Sequence, residues 1–256
     1  MQPYFFPYIG YWQLMDLTDI YVIYDDVNFI KGGWINRNRI LGPDGPFYIN
    51  VPCKNAGSGI NICDVGADIS PTYLRKTSNK LAFAYRRAPY FEEVYPFIFE
   101  LISFQSDSLA DYLANAIKKT AAQLGIGTAF MRSSKTQLAP ELHGQARVIE
   151  IGRQLGATDY YNAIGGVKLY SPDEFEKAGI TLKFVKTGDI RYPQTFGSSK
   201  AADQICPDLF GSSETADSFC PNLSIIDVLM NTGWEGTREL LTHMNVYDAR
   251  ELADKV

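Results

Sequence analysis

Apolar positions along the chain recur with two different periods, and the alternation between them predicts the architecture. After Ser108, residues Leu109, Tyr112, Leu113, Ala116 and Ile117 form one stripe. This is the pattern of an amphipathic helix capped by Ser108 and ended by Gly125 or Gly127. Helical spacing also runs from Gly10 to Thr18, Leu74 to Ala88, Phe91 to Leu101, Gly144 to Leu155, Leu223 to Leu229 and Gly236 to Met244. Short β-branched and aromatic runs at Ile20 to Tyr24, Phe47 to Val51, Thr128 to Arg132, Asp159 to Ala163 and Ile180 to Val185 predict strands. The first twelve residues hold Pro3 and Pro7 among aromatics and form a loop, because proline can continue neither a helix interior nor a central strand.

Helix, strand, helix, strand between Ser108 and Ala163 implies parallel strands joined by crossovers. The expected fold class is therefore α/β, a mainly parallel, nucleotide-binding-type sheet with a helical C-terminal part, organised as a single domain over residues 1–256. The stretch 188–222 carries no sustained period, yet Phe196, Ile205, Leu209, Phe210 and Phe219 are too apolar for an idle linker. It is read as a lid over the cleft or as a loop packed on the sheet.

Composition narrows the function classes. A formal charge of -5 and a pI near 5.1 provide no basic footprint for sequence-independent nucleic-acid binding. No apolar run is long enough for a spanning helix and no signal-peptide pattern opens the chain, so the cytoplasm is the expected location. With 2 histidines and 4 cysteines lacking C-x-x-C spacing, a zinc centre is not expected and the cysteines are read as reduced. The 16 Tyr and 15 Phe imply heavy aromatic packing or ligand stacking.

Several groups are chemically suggestive. Tyr8-Ile9-Gly10-Tyr11, ahead of a helix, has the outline of the phosphate-binding H-x-G-H loop of nucleotidylyltransferases with both histidines replaced; an aromatic plug on the core is the alternative. Lys31, Asn36, Arg37 and Arg39 lie beside Gly32-Gly33 and suit a phosphate, or form an ordinary exposed strand. Asp25-Asp26 at a strand end can hold Mg²⁺ or cap a turn. Asn162 with Gly165-Gly166 permits close backbone approach to a ligand, but is no dinucleotide fingerprint. Ser133, Ser134 and Lys135 can hold a second phosphate or form a polar strand-end loop. Tyr192 and Gln194 lie in the irregular stretch. Asp227, on an apolar helix, needs a buried partner such as Arg37 or Tyr161. His143 is a general base or a helix-entry residue, and His243 sits near a helix end. No G-x-S-x-G elbow occurs.

The segments Gln2-Pro3-Tyr4-Phe5-Phe6-Pro7-Tyr8-Ile9-Gly10-Tyr11, Asp25-Asp26-Val27-Asn28-Phe29 and Trp34-Ile35-Asn36-Arg37-Asn38-Arg39-Ile40 resemble the N-terminal signature of WbqC-like proteins. The resemblance continues in Tyr161 to Gly166, Leu169-Tyr170, Tyr192-Pro193-Gln194 and Asn222 to Asp227. Similar proteins carry a few apolar residues before the Gln-Pro pair that form a first strand, which is missing or shortened here. The resemblance implies a role in bacterial O-antigen and surface-polysaccharide synthesis. It points to an aminoacyl (glycine-type) or acyl transferase forming an amide on a nucleotide-linked amino sugar. Activation by ATP with magnesium, by a thioester or by an aminoacyl-tRNA stays open. Lys31, Arg37 and Arg39 would hold phosphates, while Asn162, Tyr192 and Gln194 would orient the acceptor. The loop bearing Gln2, Tyr4, Tyr8 and Tyr11 would supply a stacking surface. The catalytic group is unassigned among Asp25, Asp26 and His143. A nucleotidyltransferase-like enzyme and a non-catalytic nucleotide-sugar-binding protein are the alternatives.

Overall fold

A computed structural model describes residues 1–136, 141–195 and 219–253. The chain runs α1 (Ile9–Asp16), β1 (Ile20–Ile23), β2 (Arg37–Gly42), β3 (Gly45–Asn50), β4 (Cys53–Lys54), β5 (Gly66–Ala67), α2 (Pro71–Tyr85), α3 (Phe91–Ile102) and α4 (Leu109–Gln123). It continues with β6 (Ala129–Arg132), α5 (Gly144–Gln154), β7 (Asp159–Ala163), α6 (Pro172–Lys177), β8 (Thr181–Thr187), α7 (Ile225–Leu241), β9 (Met244–Asp248) and α8 (Ala249–Ala253).

Local chemistry sets the ends of these elements. Ser108 Oγ accepts from the Asp111 N–H and Ser70 Oγ from the Tyr73 N–H, so α4 and α2 start on hydroxyl caps. Gly125, at φ 71°, lets the chain leave α4 in the left-handed region. Helix α7 is broken at Gly233 (φ 68°, ψ -173°), where the Tyr90 ring would lie 2.6 Å from any Cβ.

The expectation of one mainly parallel sheet is corrected. Among the described residues the strands form small separate sheets: β1 with β6, β2 with β3, β4 with β5, and β7-β8-β9. Parallel pairing does hold β1 to β6 and β7 to β8, as the crossovers require. However, β2 and β3 form an antiparallel hairpin, because Gly42-Pro43-Asp44-Gly45 reverses the chain too tightly for a crossover. Strand β9, where a helix was expected to extend to Met244, is antiparallel to β8. The main core gathers Phe5, Trp12, Ile23, Leu113, Ile226 and Leu229, all buried, and so joins the N-terminal loop, α1, β1, α4 and α7. A second cluster under β8 centres on Phe175, Leu182 and Phe184.

Candidate functional site

Parallel strands deliver their following loops to one edge, and that edge is where ligands of open α/β sheets bind. Asp25-Asp26 follows β1 and Ser133-Ser134 follows β6, so their pairing places the four side chains together. Asp25 is fully buried. Its Oδ1 accepts from the Ser134 N–H (3.0 Å), and its Oδ2 from Ser134 Oγ (3.0 Å) and Arg132 Nε (2.6 Å). Asp26 accepts from Ser133 Oγ at 2.5 Å and from Arg147 on α5. With arginines and hydroxyls on these carboxylates, the pair does not fit direct ligation of Mg²⁺. Asp25 instead positions the strand end. Arg147 also lies over the Tyr24 ring, 5.5 Å from its centroid.

Beside this group opens a cleft of about 680 Å³ between β1 and β7, lined at its carboxyl-end mouth by Gln2, Tyr4, Tyr24, Asn162 and Tyr170. Asn162 Nδ2 donates to the Tyr160 hydroxyl (3.2 Å), and its Oδ1 accepts from the Ala163 N–H (2.7 Å). A Cβ on Gly166 would stand 3.3 Å from the Asn162 amide, whereas one on Gly165 would meet open space. Only the second glycine is closely packed. Burial raises the Tyr4, Tyr8 and Tyr24 hydroxyls above the ordinary phenol value, reinforced for Tyr4 by Tyr8 and opposed for Tyr24 by Arg147. At neutral pH they exchange hydrogen bonds and carry no charge.

A second cluster gathers Tyr192, Gln194 and Asp227, three of the expected site residues. The fully buried Asp227 accepts from Tyr85 (2.8 Å), Tyr192 (2.8 Å) and Gln194 (3.1 Å). The expected partners, Arg37 and Tyr161, are elsewhere: Arg37 donates to the Gly32 and Gly33 carbonyls, and Tyr161 lies under Lys183. Burial raises the Asp227 carboxyl to about 6 against the three donors, which pull it down. Gln194 also exchanges hydrogen bonds with the Cys220 backbone, so the loop after β8 is tied to the entry of α7. Of the expected lid, residues 196–218 lie outside the described residues; Phe219 meets Tyr192 edge-on at 5.1 Å.

The other expected residues are dispersed. Lys31 is exposed, Arg37 stacks on Tyr48, and Arg39 lies over Trp34, all on the hairpin side. Asn36 donates to the Val51 carbonyl. Tyr11 is buried and donates to the Gln2 carbonyl, which ends its likeness to a phosphate-binding histidine. Helix α1 nevertheless starts beside Thr187, the last residue of β8, whose Oγ1 lies 2.4 Å from where a Gly10 Cβ would be. His143 is exposed at the N-terminus of α5 and makes no side-chain cap. Arg132, Arg147, Tyr85 and Tyr160 were not foreseen, since nothing in their local spacing separates them from ordinary surface or core positions.

A model described as "WbqC-like protein family" matches residues 2–200. The chain is also similar to an uncharacterized protein of Mycobacterium tuberculosis, Rv1507c: 26% identical over 243 residues, covering 92% of this chain and 93% of that one. No solved structure is significantly similar to it.

Proposed function

Because the chain belongs to the WbqC-like protein family, we propose that it is a transferase forming an amide on a nucleotide-linked amino sugar used in O-antigen or other surface-polysaccharide synthesis. The observation that carries this reading is the mouth of the cleft, where aromatic faces and neutral amides converge from three separate segments: Gln2 and Tyr4, Tyr24, and Asn162 with Tyr170. Tyrosine rings offer flat apolar contact to a sugar or base, while hydroxyls and amides fix its orientation without imposing charge.

Amide formation requires the sugar amine to attack an activated acyl carbon. The N–C bond forms, the activating group leaves, and one proton departs from nitrogen. On this reading Asp26, partly exposed after β1 and held by Ser133 and Arg147, receives that proton. Asp25 is fully buried and serves as a positioning residue. A non-catalytic nucleotide-sugar-binding protein is the second reading, favoured by that same burial.

Turnover separates the two. Purified protein incubated with UDP- or dTDP-linked amino sugars, glycine and ATP, or with aminoacyl thioester or aminoacyl-tRNA as donor, is followed by mass spectrometry. A product heavier by the acyl group supports the transferase. Saturable nucleotide-sugar binding with no product from any donor supports the binder.

A further inference from the structure

The solvent face of α2 carries charge of one sign. Arg75, Lys76, Arg86 and Arg87 are exposed there and Lys80 partly so, with Phe83 among them at 58% exposure. Helical spacing puts Lys76, Lys80, Phe83 and Arg87 in one row, while Tyr73, Thr77, Leu81 and Ala84 hold the opposite side to the core. No Asp or Glu occurs between Asp68 and Glu92.

This row continues onto the hairpin of β2 and β3. Lys80 Nζ donates to the Tyr48 carbonyl at 2.7 Å, so helix and hairpin meet at that residue. Asn38, Ile40 and Ile49 turn inward, and strand alternation therefore turns Arg37, Arg39 and Tyr48 outward. Arg37 lies over the Tyr48 ring (4.4 Å) and Arg39 over the Trp34 ring (5.6 Å), with the two rings 6.3 Å apart. Beside them a turn closed by the Gly33 N–H on the Ile30 carbonyl exposes Lys31 and leaves Ile30 53% exposed. Asp44 at the hairpin tip is the single carboxylate between Asp26 and Asp64. Among the described residues none of these cations forms an ion pair.

A net charge of -5 thus hides a cationic, carboxylate-poor face. We propose that this face rests on an anionic lipid surface, its Lys and Arg side chains at the headgroup phosphates and Ile30, Trp34 and Phe83 inserted among the headgroups. Basic residues are drawn to the negative surface potential of acidic lipids, and their stems lie along apolar surface while the charges stay in water. Trp and Tyr favour the same boundary layer. A phosphate chain such as RNA would neutralise the cations equally well. It would leave Ile30 wet, however, because an aliphatic side chain has neither a ring to stack on a base nor a group to hydrogen-bond it. A lipid surface accounts for both the charge and the exposed apolar side chains. Among the described residues no helix is long and apolar enough to cross a membrane, and the proposed contact is peripheral. None of these residues lines the cleft, so the surface does not depend on the transferase reading.

The test is co-sedimentation of the chain with vesicles of phosphatidylcholine alone and of phosphatidylcholine mixed equally with phosphatidylglycerol. Binding is expected to the mixed vesicles only, and to fall as salt is raised. Replacing Arg75 and Lys76 by Gln should weaken it about fivefold for each charge removed. Phe83→Ala, which keeps every charge, should weaken it about tenfold. All three side chains are exposed, and equal melting temperatures check that the variants are folded. No pelleting with the mixed vesicles overturns the proposal, and so does equal pelleting with both kinds. Unchanged binding by Phe83→Ala overturns the insertion. A single-stranded RNA oligonucleotide that displaces the chain from the mixed vesicles and binds Phe83→Ala as tightly as the wild type would make the face a nucleic-acid surface instead. Failure of the transferase assay bears on the cleft alone and leaves this surface standing.

Discussion

Tyr192 donates its hydroxyl hydrogen to Oδ2 of Asp227 across 2.8 Å, joining the loop after β8 to the first turn of α7. A hydrogen bond to a charged group contributes about 1.5–3 kcal/mol. Tyr192→Phe is therefore expected to lower stability by about that amount in urea denaturation. A loss below about 0.5 kcal/mol would show the contact to be idle.

The same carboxyl sets a pH dependence. Burial raises its pKa to about 6 from the ordinary carboxylate value of 3.8. Between about pH 4 and pH 6 the folded protein keeps a proton that the unfolded chain has released, so this group's stabilisation falls as pH rises through that window. At about 1.4 kcal/mol per unit the total is roughly 3 kcal/mol. Asp227→Asn should remove this slope from the stability curve, and a variant that follows the wild-type slope would assign the effect to other groups.

Local elements were legible because their causes are local. The stripe after Ser108 and the β-branched run at Ile20 each carry their own period, and α4 and β1 lie there. Asn222 to Asp227 and Tyr192 to Gln194 were readable as segments resembling the family, but not that they meet at the Asp227 carboxylate. What the sequence withheld was pairing at a distance. Nothing in the spacing of Arg132 or Arg147 tells that they face Asp25 and Asp26, more than a hundred positions earlier. Nor does a guanidinium beside glycines, which suits an anion, tell that the turn also brings the Gly32 and Gly33 carbonyls to Arg37.

Removing Asp25 should be costly in stability. Asp25→Ala leaves Arg132 and both Ser134 donors without their acceptor, and breaking a buried pair in this way costs about 3–5 kcal/mol. The expected result is a sharply lower melting temperature or an unfolded product. A drop of only a few degrees would mean that solvent replaces the carboxylate.

Asp26→Asn should also act on turnover. Its side chain is largely buried against Arg147, so loss of the charge-assisted hydrogen bond should lower stability by about 1.5–3 kcal/mol. Amide formation should fall by about 10²-fold or more if the group takes the proton. An active Asp26→Asn enzyme would move the base elsewhere.

The paired glycines after β7 are predicted to separate cleanly. Gly165→Ala points its methyl into open space and should match the wild type in melting and in nucleotide-sugar affinity. Gly166→Ala presses on the Asn162 amide; weaker binding by calorimetry with little loss of stability is expected. Equal affinities for the two variants would remove Asn162 from the binding surface.

The Phe6 carbonyl accepts both from Asn38 Nδ2, close in sequence, and from Ser224 Oγ, 218 positions away; the Pro7 carbonyl likewise waits for the Ile225 N–H. At about 5–20 residues per second on the ribosome, the aromatic opening segment emerges roughly 10–45 s before the helix that closes over it. During that interval Phe5, Phe6 and Trp12 have no final burial place. The nascent chain thus exposes these aromatic side chains until Ser224 and Ile225 have followed.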